Sequence, residues 1–165
     1  MANEKTKRLV ISREFNAPRK LVFDTITKPE HIIHWWGPKG FKPTVLKMDV
    51  RPEGIFHYSI EAGEFKMYGI FVYKEIKAPE LLSFVNSFSD EHGNITRAPM
   101  SDTWPLEIMN TWTFTEKDGK TTITLSGMPL NATAEEQATY EAAFEGMNEG
   151  FKGTFDQLED YLAKL

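Results

Sequence analysis

Cysteine is absent from this sequence of 165 residues, which excludes disulfides, a thiolate nucleophile and any Cys-ligated metal. A chain with no thiols fits a reducing compartment, and a cytoplasmic location is expected. Long apolar runs are also missing. No stretch approaches the roughly 18 apolar residues that a membrane span needs, and the opening Met1–Arg8 is polar with no apolar segment after it. Neither export nor a membrane partner is expected. Dense basic clusters are lacking too: 19 Lys and Arg stand against 24 Asp and Glu, for a net charge of −5. The electrostatic footprint of phosphate-backbone binding is therefore missing, and no nucleic-acid partner is expected. No G-x-S-x-G, H-E-x-x-H or G-x-x-x-x-G-K-[ST] pattern occurs, so serine hydrolase, zincin and P-loop chemistries are set aside.

Rings, by contrast, are plentiful. With 12 Phe, 5 Tyr and 4 Trp, the chain carries ample aromatic surface for a core or a cavity wall. Its length suits one domain, residues 1–165, with 1–7 expected to form a flexible tail. Arg8 to Phe15 reads as a first strand. Asn16-Ala17-Pro18 then opens a helix, with Asn able to cap it and Pro tolerated in the first turn, and Leu21, Val22, Phe23 and Ile26 supply its apolar face. A second short helix is expected from Pro29 to Trp35, ended by Gly37-Pro38-Lys39-Gly40.

Strand signals follow at 45–50, 55–60, 65–76, 81–88, 108–116 and 121–126, separated by turn-forming clusters, of which Lys117-Asp118-Gly119-Lys120 predicts a tight hairpin. Asn110, Trp112 and Phe114 alternate with Thr111, Thr113 and Thr115, so one face of an antiparallel sheet is covered and the other wet. The last segment starts with a capping box, Thr133-x-x-Glu136, and is expected to run as one helix from Ala134 to about Lys164. Its apolar stripe takes in Tyr140, Phe144, Met147, Phe151, Phe155, Leu158 and Leu162. Gly146, Gly150 and Gly153 interrupt that helix, and point either to close backbone approach or space left open, or to a locally weak helix. The connection 89–105, with Met100 and Trp104, is long enough to be a lid or a loose hairpin loop. The fold class is α+β.

Several runs carry a resemblance: Asn16-Ala-Pro-Arg-Lys-Leu-Val-Phe23, Thr27-Lys-Pro-Glu30, Trp35-Trp-Gly-Pro-Lys-Gly-Phe41, Asp49-Val-Arg-Pro-Glu-Gly54, Pro79-Glu-Leu-Leu-Ser-Phe84 and Gly146-Met-Asn-Glu-Gly-Phe151. In order and spacing, over nearly the whole chain, they resemble the activator-of-heat-shock-protein-90-ATPase homologue family of the START-like superfamily. The resemblance implies a helix-grip fold, a curved antiparallel sheet of about seven strands around a long C-terminal helix, with two short helices after strand one and a deep cavity inside. It fixes no function, since such folds serve as carriers, cyclases and co-chaperone domains. The eukaryotic co-chaperone resembles this chain only in its C-terminal portion, so a chaperone partner is doubtful here.

From the covered faces, the candidate ligand-binding residues are Phe56, Tyr58, Phe71, Phe84, Asn86, Asn110 and Trp112 on the sheet, Tyr140, Phe144, Met147 and Phe151 on the helix, and Trp35 and Trp36 at the rim. Plain core packing competes for most of the rings. Asn86 and Asn110 are more informative, because a buried amide without a partner costs roughly 1 to 3 kcal/mol. Glu30, His31 and His34 share a spacing that metals use, yet no third protein ligand accompanies the histidines; no metal site and no cofactor are expected. His57, out of phase with Phe56 and Tyr58, is expected to face solvent. Asp102, Glu107 and Tyr140 are the acids or bases an enzyme would use if they reached the cavity. The leading expectation is a domain that takes up a small apolar or aromatic molecule. A co-chaperone-type interaction module and a cyclase-like or hydrolytic enzyme are the alternatives, and a homodimer stays open.

Overall fold

A computed structural model describes residues 7–165; most of the expected 1–7 tail lies outside them. The elements run β1 (Leu9–Phe15), α1 (Arg19–Thr27), α2 (Pro29–Ile32), β2 (Lys42–Met48), β3 (Ile55–Ala62), β4 (Phe65–Lys77), β5 (Leu81–Ser89), β6 (Ile95–Thr96), β7 (Ile108–Lys117), β8 (Lys120–Pro129), α3 (Ala134–Ala142) and α4 (Phe144–Leu162). One antiparallel sheet in the order β1-β8-β7-β5-β4-β3-β2 carries the molecule, with the two-residue β6 added beside β5. This is the α+β helix-grip arrangement.

Alternation sets the faces. In β7, Ile108, Asn110, Trp112 and Phe114 are buried while the residues between them are half-exposed, and β8 repeats the pattern. The β7–β8 hairpin closes on Asp118 and Gly119, both at positive φ (56° and 79°), the conformation a two-residue turn of this hand requires. At one end the interior is solid: Phe15 packs edge-on to Phe155, Phe23 to Phe114, and Leu82, Ile123, Leu125 and Leu158 are fully buried.

Three local expectations are corrected. First, α1 begins at Arg19 with Pro18 at its N-cap and no capping side chain, and α2 is a single turn. Second, the C-terminal helix is two helices. Its start forms the capping box, with Thr133 and Glu136 each accepting the other's backbone amide, but Ala143 (φ −94°, ψ 1°) breaks the rod. Tyr140 is buried ahead of the break, and Thr154, Phe155 and Leu158 well after it; the break frees the two apolar faces to meet the sheet at different angles. Third, His57 is buried, because the chain after β5 folds back over that side of the sheet. Its Nε2 lies 3.1 Å from the Asp90 carbonyl, and Gly93 lies against its ring.

Candidate functional site

Clefts open to solvent lie between the sheet and the side of the molecule nearer α3 and the start of α4. Three adjoining hollows of about 170, 310 and 190 Å³ lie there, and Tyr58 and Phe151 form walls of all three. Strands β3, β4, β5 and β7 supply one side through Tyr58, Phe71, Phe84, Asn86, Asn110 and Trp112; α3 and α4 supply the other through Tyr140, Met147 and Phe151. Trp36 closes an end, edge-on to Tyr58 and Phe71 with centroids 5.9 and 5.7 Å away.

Each wall has a local cause. Trp36 sits where it does because α4 grips the turn that carries it: Thr154 Oγ1 and Gln157 Nε2 donate to the Gly37 carbonyl at 3.0 and 2.8 Å. Phe71 and Phe84 stack across β4 and β5 at 3.9 Å. Tyr58 lies flat on β4 because residue 69 is glycine; a Cβ there would stand 2.5 Å from the Tyr58 hydroxyl. Gly127 does the same for Tyr140, where a Cβ would meet the hydroxyl at 2.7 Å and Asn110 Oδ1 at 3.1 Å.

The hollows are lined without a single carboxylate, ammonium, guanidinium or imidazole. Their titratable groups are tyrosines. Burial pushes the Tyr58 hydroxyl up to about 12, partly opposed by the Trp36 side chain, and burial alone pushes Tyr140 up to about 12. Both are neutral donors at any ordinary pH. The amides are weakly engaged: Asn110 Nδ2 reaches the Ile108 carbonyl at 3.4 Å. The Trp112 indole N–H is buried and has no hydrogen-bond partner.

Ten of the thirteen predicted residues thus come together around the hollows. The other three do not. Trp35, buried, donates through Nε1 to the Thr25 carbonyl at 2.9 Å and packs under the turn. Phe56 is a core residue stacked on Tyr58, and Phe144 packs edge-on to Tyr140 outside the lining.

Lining residues that the sequence reading passed over are Ile60, Phe88 and Ile108, which extend the same two-residue alternation, together with Met67 and Gly69. Trp104 was missed as a wall. It lies 5.5 Å from the Tyr140 ring and comes from the 89–105 connection, which carries no periodic signal. That connection is tied to α3 by Arg97–Glu136 (2.6 Å) and Thr103–Thr139 (2.9 Å). Asp102 is exposed and, like Glu107, lies outside the lining. His31 Nδ1 lies 2.6 Å from the Tyr161 hydroxyl and His34 stacks on that ring. Among the described residues no group of three potential ligands is placed to hold a metal, and no helix is long and apolar enough to cross a membrane.

A curved antiparallel sheet gripping the C-terminal helices, with two short helices after strand one, defines a START-like protein. Residues 16–163 match the family described as "Activator of Hsp90 ATPase homolog 1-like protein", and the chain belongs to that family. Solved structures agree. A Mycobacterium smegmatis protein is 30% identical, with 95% of this chain and 91% of that one covered and a TM-score of 0.77. A Staphylococcus epidermidis protein is 29% identical over 98% and 93%, with a TM-score of 0.75. An Arthrobacter aurescens protein is 26% identical over 97% and 88%, at 0.80. A search of curated proteins gives no match.

Proposed function

We propose that this protein takes up a small apolar or aromatic molecule in the hollows between its sheet and its C-terminal helices, and that it acts as a binding protein. The observation that carries this reading is the shared lining: Tyr58 and Phe151 border three adjoining hollows, and Trp36 borders two of them. Concave, mostly apolar walls with a few polar groups are what small-molecule sites look like. The lining offers no carboxylate or imidazole to move a proton, which weighs against the acid–base enzyme. A cytoplasmic location belongs to the same reading and rests on the thiol-free composition.

The test uses N-phenyl-1-naphthylamine, a neutral aromatic probe whose fluorescence rises in apolar surroundings. The expected result is saturable uptake at one probe per chain, lost in Met147→Trp, because Met147 lines two of the hollows and an indole there occupies them. Uptake unchanged in a folded Met147→Trp protein, or no uptake by the parent, would falsify the reading.

A further inference from the structure

We infer that α3 and the first half of α4, residues 131–150, form a lid over the hollows, bending at Asn131, Ala143 and Gly150 and closing when Tyr140 seats against Gly127. That the lid gates a bound molecule rests on the uptake reading above; that it moves does not.

The C-terminal segment is held unevenly along its length. The second half of α4 is fixed: Phe155 and Leu158 are buried, Arg13 pairs with Asp156 at 2.8 Å, and Thr154 and Gln157 grip the turn at Gly37. From Glu141 to Gly153 no residue is buried, and in α3 Tyr140 alone is. The start of α4 has open space on two flanks. The hollows bordered by Met147 lie on one, and toward β1 a cleft of about 490 Å³ runs between Ile11 and Ser12 and the helix residues Asn148 and Glu149. Helices in proteins are held chiefly by the packing of an apolar face. A helical stretch with one buried side chain therefore opens at far lower cost than the rest of the fold.

The bending points have local causes. Asn131 lies in the left-handed region at φ 51°, and Ala143 has already left the helix. At Gly150 the backbone is freest, and the Thr154 hydroxyl reaches back to its carbonyl at 3.1 Å, a contact that bends helices. A Cβ at Gly146 or Gly150 would meet nothing within 4 Å among the described residues, so what these glycines add is backbone freedom and not room for a neighbour. Away from Gly150 the lid is latched. Tyr140, 1% exposed, fills the notch that Gly127 leaves; the other ties are at the surface, Arg97–Glu136, Thr103–Thr139 and Gln137 Nε2 donating to the Lys7 carbonyl at 3.1 Å. Met147 rides on the lid and lines the hollows of about 170 and 310 Å³. Raising the lid withdraws that side chain and joins the two.

A reversible lock tests this. Thr103 and Thr139 lie outside the lining with Oγ1 atoms 2.9 Å apart, close enough for a disulfide, and the chain has no cysteine of its own. Thr103→Cys/Thr139→Cys therefore locks on oxidation and releases on reduction. Amide exchange reads the motion with no ligand present: in the parent, residues 141–149 are expected to exchange about a hundredfold faster than 154–159, and the oxidised lock to slow the first stretch about tenfold while leaving the second unchanged. Stopped-flow mixing with N-phenyl-1-naphthylamine reads the gate: the oxidised lock is expected to slow association and release alike by about tenfold at unchanged equilibrium affinity, and reduction to restore both. Equal protection along α4 in the parent, or exchange indifferent to the lock, overturns the lid. Slowed exchange with both probe rates at their parent values overturns the gate and leaves the motion standing. Absence of any probe uptake overturns the uptake reading and the gate with it, and amide exchange still decides the lid.

Discussion

At the scale of single residues, two glycines shape the hollow more directly than any ring does. Gly69 leaves room for the Tyr58 hydroxyl and Gly127 for that of Tyr140; each absent side chain is the reason a tyrosine lies flat against a strand. Gly69→Val is expected to drive the Tyr58 ring off β4 and to lower stability by about 1–3 kcal/mol, the usual cost of overpacking, read as a shift in the urea midpoint at unchanged slope. No shift would mean that Tyr58 moves aside freely. Gly127 hides from a sequence reading because the atoms it accommodates, from Tyr140 of α3 and Asn110 of β7, are brought to it by the packing of α3 on the sheet. Asn110 and Trp112, by contrast, were visible, since two-residue alternation places them in phase with Phe114. The same alternation failed for His57. It reports which side of a strand a residue occupies, and takes the second side to be wet; here the 89–105 connection covers it. Trp35 and Trp36 show the limit in another way. Adjacent residues in a turn have no period to separate them, and only the Trp35 N–H, satisfied by the Thr25 carbonyl, marks that ring as structural.

At the scale of elements, the C-terminal segment is two helices, α3 and α4, laid against one sheet. The capping box announced where α3 starts, because its two residues are local. Nothing local announces the break at Ala143, an alanine being the best helix former there is. Close approach does not explain two of the glycines of α4: a Cβ at Gly146 or Gly150 would meet nothing within 4 Å, while one at Gly153 would touch the Lys39 side chain at 3.5 Å. Gly146→Ala is therefore expected to stabilise the protein by about 0.5–1 kcal/mol through helix propensity and the unfolded chain's lost freedom, measured in the same urea titration. A loss of stability would show that α4 needs its flexibility even in the folded state. The connection between β5 and β7 behaves differently. One of its two ties to α3, Arg97–Glu136, is an ion pair at the surface, where such pairs contribute little to global stability. Arg97→Ala, which removes the bonds to Glu136 and the Trp104 carbonyl (2.6 and 3.1 Å), is expected to leave the melting temperature within about 1–2 °C while amide exchange rises across residues 97–104. Equal protection in the variant would show that the Trp104 ring contact and the Thr103–Thr139 hydrogen bond hold the segment without the ion pair.

At the scale of the whole molecule, buried tyrosines link folding to alkaline pH. Tyr58, Tyr73 and Tyr140 all have hydroxyls raised above the ordinary value of 10.0 by burial, Tyr58 and Tyr140 to about 12 and Tyr73 further. A raised pKa means the folded state holds its proton more tightly than the unfolded one. The stabilisation is then complete below pH 10 and is lost as pH rises through the window between the unfolded and folded values. Each such group lowers the folding equilibrium constant by up to about tenfold per pH unit inside that window. Urea midpoints are expected to be flat from pH 7 to 9 and to fall steeply from 10 to 12, less steeply in Tyr58→Phe. Uptake of a neutral probe follows from the same protonation: with Tyr58 and Tyr140 neutral, affinity stays constant from pH 6 to 9, and a titration of affinity near pH 7 would place a charged group in the lining that these walls do not contain.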